Sequence, residues 1–310
     1  MPTARRPGGS NYFSHDLKNS VISRYHLDTS LINLQLDQMR ANGMKSLGLP
    51  MLMMQGATDG PFIDWQGGQL TVQDAKNLQA FIGWAKSIGF DYFLVAPQFY
   101  AEHDLRQSAF EANKETLYGD NFRLFLQLKS ILDGEGVEAI YDLCTEGVGD
   151  TRGSCVWYSQ RIWTDWTCSF WPDGLPCWDA TISIVPTQPN VSAMPGIFRG
   201  LDPGGPVNWP GLFNFHSYAQ NGRLYPGSPL NGPRLWLQQI NAPVRSWVLG
   251  ETDTLTDTGD KQIAQDANRF VAHTKQPIER VFQWPVTPRD PEGVSCSIVP
   301  TMWMWGEAGY

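Results

Sequence analysis

Arg245-Ser-Trp-Val-Leu-Gly-Glu-Thr-Asp253 places an acidic residue directly after a short apolar run. Trp247, Val248 and Leu249 predict a buried strand, Gly250 ends it, and Glu251 follows at once. A carboxylate at the tip of a buried strand loses hydration, and structure alone gives little in return. In a barrel of parallel strands the C-terminal tips carry the active-site residues. Ala139-Ile-Tyr-Asp-Leu-Cys-Thr-Glu146 repeats the arrangement upstream. The chain therefore reads as a frame that brings Glu146 and Glu251 face to face.

Outward from these two stretches, strand and helix patterns alternate. Asn11 to His15 predicts a first strand after a Gly-Gly turn. Leu31 to Met39 carries a helical apolar pattern, with Asp28-Thr29-Ser30 as its N-cap region and Asn42-Gly43 as its stop. Met44 onward is a buried strand that ends near Leu49 or a little beyond. Thr71 to Ser87 is amphipathic and stops at Gly89. A third strand over 90–96 is ended by Pro97, a helix spans 120–132, and Val137 to Leu143 forms the fourth strand.

Residues 147–178 carry Trp157, Trp163, Trp166, Trp171 and Trp178 without a sustained period, so they predict a long loop with one short helix near 157–166. Strands follow over 180–185, 212–218, 247–249 and 280–285, with helices over 233–240 and 260–273. The tail 286–310 shows no clear eighth helix. Strands that alternate with helices imply a parallel sheet. About eight such units predict an α/β fold, a (β/α)₈ TIM barrel in a single domain over residues 1–310. The alternative, an open doubly wound sheet, would want a Gly-rich phosphate turn after the first strand, and none is there.

The bulk properties agree with a large core and no polyanionic partner. The chain has 310 residues, a net charge of −8 and 17% charged residues, against roughly 25% charged in average soluble proteins. Nucleic acid and membrane insertion are therefore not expected as modes of interaction, and a monomer is. No apolar run approaches the roughly 18 residues of a membrane helix, and no signal peptide begins the chain as given. Thirteen Trp hint at a binding groove, because indole offers a flat apolar face for stacking. Cys155, Cys168 and Cys177 lie in one loop, where a disulfide would hold irregular backbone. That favours a secreted or periplasmic compartment; five reduced thiols are the alternative. No CxxC pair or His pair points to a metal, and no cofactor is expected.

Two facing carboxylates are the equipment of glycoside hydrolysis, one as acid and one as nucleophile or base. Here the chain resembles the clan A glycoside hydrolases, the retaining (β/α)₈ group that includes the family 5 cellulases and mannanases. By strand count, Glu146 matches that group's acid/base at the end of strand four, and Glu251 its nucleophile at the end of strand seven. Leu249-Gly-Glu-Thr252 resembles the nucleophile segment, and Phe215-His-Ser-Tyr218 the sixth-strand His-x-Tyr. The resemblance implies that Tyr218 orients the nucleophile and that Trp284 floors the central sugar subsite. Two departures mark the chain as divergent. Thr145 stands where the group has Asn before the acid/base, and Gly48 where its second strand supplies an Arg.

The expected activity is a retaining endo-β-glycosidase on a polysaccharide or oligosaccharide; the alternative is a carbohydrate-binding barrel with little or no turnover. Further sugar-contact candidates are His216, Asn11 and His15, with Gln98, Tyr100 and His103 on the rim after strand three. Trp157 and Trp163 are the groove candidates in the Trp-rich stretch. Asp142 shares a face with Glu146 by alternation and predicts a barrel-interior partner rather than a catalyst.

Overall fold

The computed structural model describes residues 8–16, 18–145, 152–170, 179–184, 194–200, 204–218, 238, 240–243, 246–253, 267–272 and 274–283. Its strands are β1 (Gly9–Asn11), β2 (Ser46–Met53), β3 (Phe62–Ile63), β4 (Trp65–Gln66), β5 (Gln69–Leu70), β6 (Tyr92–Phe99), β7 (Glu138–Asp142), β8 (Ala180–Thr181), β9 (Ser183–Ile184), β10 (Leu212–Tyr218), β11 (Ser246–Asp253) and β12 (Ile278–Gln283). The helices are α1 (Val21–Ala41), α2 (Val72–Ser87), α3 (Ser108–Ala112), α4 (Lys114–Glu135), α5 (Cys155–Phe170) and α6 (Met194–Arg199).

The main sheet runs β8-β7-β6-β2-β1-β12-β11-β10-β9, with parallel pairing throughout. The two ends of that path, β8 and β9, are separated by Ile182 alone and together make the fifth strand. β8 pairs with β7 and β9 pairs with β10, so the sheet closes on itself as an eight-stranded barrel. Thr181 helps to seal the junction by donating its hydroxyl to the Leu212 carbonyl at 2.9 Å.

Alternation along the strands separates two apolar clusters. Tyr92, Leu94, Ile140, Leu212, Val248 and Phe282 form a small cluster of their own inside the barrel. Their strand neighbours Phe93, Tyr141, Phe213, Trp247, Leu249 and Val281 belong to the large cluster between sheet and helices. The barrel interior also holds a cation. Arg280 is buried, donates to Ser46 Oγ at 3.2 Å, and lies 3.8 Å from the Tyr92 ring centroid. The guanidinium is weakly hydrated and planar, which suits it to stacking on an aromatic face in a dry layer.

Several elements differ from the sequence expectation for local physical reasons. α1 starts at Val21, where the Ser20 side chain accepts from the Ile22 and Ser23 amides. Asp28-Thr29-Ser30 marks a kink rather than a start. Asp28 has φ −114° and ψ 23°, and its carboxylate is drawn to His15 at 3.1 Å and Arg24 at 3.2 Å. Thr29 also bonds back to the Tyr25 carbonyl, an arrangement that bends helices. The first strand lies over 9–11, ahead of the expected 11–15.

β6 continues through Pro97 to Phe99. Its pairing with β7 ends at Val95, and the Pro97 carbonyl faces Thr145, so the missing N–H falls where no ladder bond is required. α4 begins at Lys114 rather than at 120 and ends in Gly136, whose φ of 62° needs the absence of a Cβ. The largest difference is α5, a helix of 16 residues where a long loop with a short helix was expected. Of the expected helix over 233–240 only 238, which is helical, and 240, which is in a turn, are described; the tail 286–310 lies outside the described residues, as does all of the 260–273 helix except 267–272, which is helical.

Candidate active site

The site forms on the C-terminal rim, and a bulge in β11 shapes it. Opposite β10, Phe215 pairs with Leu249, whereas the next residue, His216, pairs with Glu251. Opposite β12, Leu249 pairs with Val281 and the next match is Thr252 with Gln283. Gly250 is left out of the pairing on both sides. One extra residue reverses the side-chain alternation beyond it. Leu212 and Asn214 face the barrel interior, and His216 is in phase with them. Glu251, paired to His216, is therefore turned inward; in a regular strand it would share the outward face of Leu249. The strand continues through Glu251 to Asp253 instead of ending at Gly250.

Glu251 is 6% exposed, and its Oε2 lies 3.3 Å from His216 Nδ1. His216 also acts on Asp142, which sits wholly buried beneath the rim. Burial pushes the Asp142 carboxyl above the usual carboxylate range, while Ser183, His216 and Asn214 pull it partly back. Its Oδ1 accepts the Ser183 amide at 3.1 Å, and its Oδ2 accepts Asn214 Nδ2 at 3.0 Å and the Ser183 hydroxyl. Asn214 in turn packs against Gly250, where an added Cβ would lie 2.3 Å from Asn214 Oδ1. Asp142, Ser183, Asn214 and His216 thus form one polar wall that leads to Glu251. Asn214 escaped the sequence reading, although its place two residues before His216 puts both on one strand face.

The other candidates divide. Asn11 is buried and donates Nδ2 to the Gly250 carbonyl at 2.8 Å. His15 is buried against Asp28 at the α1 kink. Gln98 accepts from the Tyr100 hydroxyl at 3.5 Å, and Thr145 donates to the Pro97 carbonyl at 3.5 Å. Gln98, Tyr100 and Thr145 line a cleft of about 210 Å³ at the tips of β6 and β7, together with Arg106, Cys144 and Tyr158. His103 is packed away from the rim, 4.4 Å from Trp65 between ring centroids and 2.8 Å from Asn121 Oδ1.

Trp163 is buried, donates its indole N–H to the Asn208 carbonyl at 2.7 Å, and packs edge-on to Phe198. Trp157 packs edge-on to Tyr118 with the Lys114 ammonium 5.2 Å from its ring centroid. Glu146, Trp284 and the Tyr218 side chain lie outside the described residues. Cys144 and Cys155 are buried, Cys168 is exposed, and Cys177 lies outside the described residues. Among the described residues no cluster of three or more His, Cys, Asp or Glu could hold a metal ion.

A closed parallel barrel with an inward-turned carboxylate on its C-terminal rim defines the class of fold. No protein-family model matches the sequence, and no curated protein matches it. Solved structures do share the architecture. The endo-1,4-β-mannanase from Eisenia fetida matches with TM-score 0.59 and 14% identity over 99% of this chain and 92% of that one. The β-mannanase from the blue mussel Mytilus edulis matches with TM-score 0.56 and 12% identity over 98% and 92%. A broad-specificity endoglucanase from Clostridium longisporum matches with TM-score 0.57 and 11% identity over 98% and 94%. At these identities the likeness is one of fold.

Proposed function

We propose that this chain is a retaining glycoside hydrolase that cleaves within a β-linked polysaccharide, its 310 residues acting as one catalytic domain and as a monomer. The observation that carries the reading is the Gly250 bulge, which turns Glu251 into the barrel mouth beside His216. A strand-end carboxylate held there is placed to attack an anomeric carbon. Neighbours of the same fold that are named as mannanases and an endoglucanase support a polysaccharide substrate.

In the proposed mechanism Glu251 attacks the anomeric carbon and forms a glycosyl-enzyme. Glu146 protonates the leaving oxygen, then removes a proton from the water that releases the sugar. Retention requires the two carboxyls about 5–5.5 Å apart. The cleft beside Gln98 and Thr145 adjoins Glu146 in the chain and offers space for the leaving sugars. Trapping with 2-fluoro glycosides of gluco, manno and galacto configuration, followed by peptide mapping, tests the assignment. An adduct on Glu251 is the expected result, and an adduct on another residue overturns it. Glu251→Ala should keep the fold and lower kcat by roughly 10⁴-fold or more; near-full activity in that variant would sink the nucleophile assignment.

A second reading draws on Thr145 and Gly48. The Thr145 hydroxyl is spent on the Pro97 carbonyl, and Gly48 brings no cation to the rim. A barrel that binds glycan without turnover would keep its affinity in Glu146→Gln and hydrolyse no member of a polysaccharide panel.

A further inference from the structure

We propose that Asn11 is a positioning residue for Glu251: its side-chain amide holds the bulged Gly250 peptide in place, and Gly48 is a glycine because that amide needs the room. The proposal rests on the reading of Glu251 as nucleophile, but its geometry stands apart from that reading.

The bulge leaves Gly250 out of the register on both sides, and Gly250 is buried. An unpaired buried carbonyl is unfavourable, so something must donate to it. Asn11 Nδ2 does so at 2.8 Å from a residue 239 positions away in the chain. β1 lies two strands from β11 in the barrel order, so the bond crosses the interior in front of β12.

Gly48, the β2 residue opposite Asn11 in register, abuts the same side chain. A Cβ at position 48 would lie 1.9 Å from Asn11 Oδ1 and 3.3 Å from Asn11 Cα. Any other residue there would push the amide out of line with Gly250. From the opposite side Asn214 packs on Gly250, and Asn214 is itself held by Asp142 and Ser183. The peptide immediately before Glu251 is therefore gripped between two amides, one from β1 and one from β10. The space beside Gly48 is filled by the Asn11 amide, a neutral group that acts on main chain.

The grip fixes where Glu251 points. Release of the Gly250 carbonyl frees that peptide to rotate, and rotation displaces the next side chain. A misplacement on the order of 1 Å at a reacting group costs about 10²-fold in rate.

The test uses the full chain with Asn11→Asp, which keeps the shape but has no N–H to give, and Gly48→Ala, which crowds Asn11 without touching it chemically. His216 lies 3.3 Å from Glu251, so its imidazole NMR resonances report the carboxylate's position whether or not a substrate is in hand. Only five His are present, which keeps the spectrum assignable. Both variants should move the His216 resonances. Both should lower kcat about 10²-fold on a polysaccharide that the wild type hydrolyses, with KM within about twofold.

Unmoved His216 resonances overturn the proposal, as does a lower melting temperature with kcat unchanged, because Asn11 is then only a strut. Should Gly48→Ala fail to fold, Asn11→Asp carries both readouts. A wild type inactive on every glycan, with His216 moved in the variants, removes the glycosidase reading and keeps the clamp. An active wild type with His216 unmoved removes the clamp and keeps the reading.

Discussion

Glycine at position 250 meets two demands at once. It is the extra residue that reverses the alternation of β11, and it is the surface on which Asn214 packs. Its side-chain hydrogen is the limiting feature, since a methyl there would sit 2.3 Å from Asn214 Oδ1 and 2.6 Å from Nδ2. Gly250→Ala should therefore destabilise the fold by about 1–3 kcal/mol, the usual effect of overpacking a fixed interior. Urea denaturation would measure that loss. Activity in the surviving folded protein should fall as well, because relief of the clash moves either Asn214 or the Glu251 backbone. A variant with wild-type stability would show that the Asn214 amide yields freely, and would remove the wall's claim to be rigid.

Helix α5 shows how a tryptophan surplus can mislead at the scale of an element. Its buried residues are Cys155, Tyr158, Ser159, Ile162, Trp163 and Trp166, spaced as one face of an α-helix. That period was present in the sequence. It was obscured because Trp157 lies off the stripe and because Thr164 and Thr167, poor helix formers, interrupt the composition without interrupting the helix. Both threonines bond back to carbonyls one turn earlier, which keeps their hydroxyls satisfied.

Trp163 and Trp166 are therefore core residues, packed on Phe198 and on Tyr141 and Phe125 respectively. Trp163→Ala should cost about 3–5 kcal/mol of stability, the range for large aromatic truncations in a core. Glycan affinity measured well below the melting temperature should stay unchanged. Trp157→Ala, at a half-buried position, should cost about 1 kcal/mol or less. A loss of affinity in Trp163→Ala without loss of stability would return that residue to the groove.

At the scale of the whole molecule, His103 ties the segment after β6 to the layer outside the barrel. This residue follows β6, packs on Trp65 of the β4–β5 hairpin, and bonds Asn121 of α4. Burial holds its imidazole below the ordinary value of 6.5, opposed in part by Asn121 and by the nearby acids Asp120 and Glu102. A base whose folded pKa is depressed binds fewer protons in the native state. Its contribution to stability is complete above the unfolded value of 6.5 and is lost as pH falls from there toward the folded pKa. The wild-type melting temperature should thus decline more steeply than that of His103→Gln as the pH falls below 6.5. Parallel slopes for the two proteins would show that His103 does not titrate as the fold loosens.

Much of the architecture was legible because barrel strands buried on both faces read as apolar runs, and because Gly and Pro mark the turns between them. The alternation of strands and helices around a closed barrel, with Glu251 near the end of a late strand, followed from that pattern. The inward turn of Glu251 was not legible. A bulge depends on the register of β11 against β10 and β12, and register is a property of neighbours rather than of one segment. Asn11 reads locally as a polar strand end free to meet a sugar; only barrel closure brings it to a carbonyl 239 residues away. The sequence by itself determined which elements form and in what order, because those follow from short-range periodicity. Tertiary structure decided which polar groups meet across the closed barrel, because contacts at long separation exist only once eight strands share one interior.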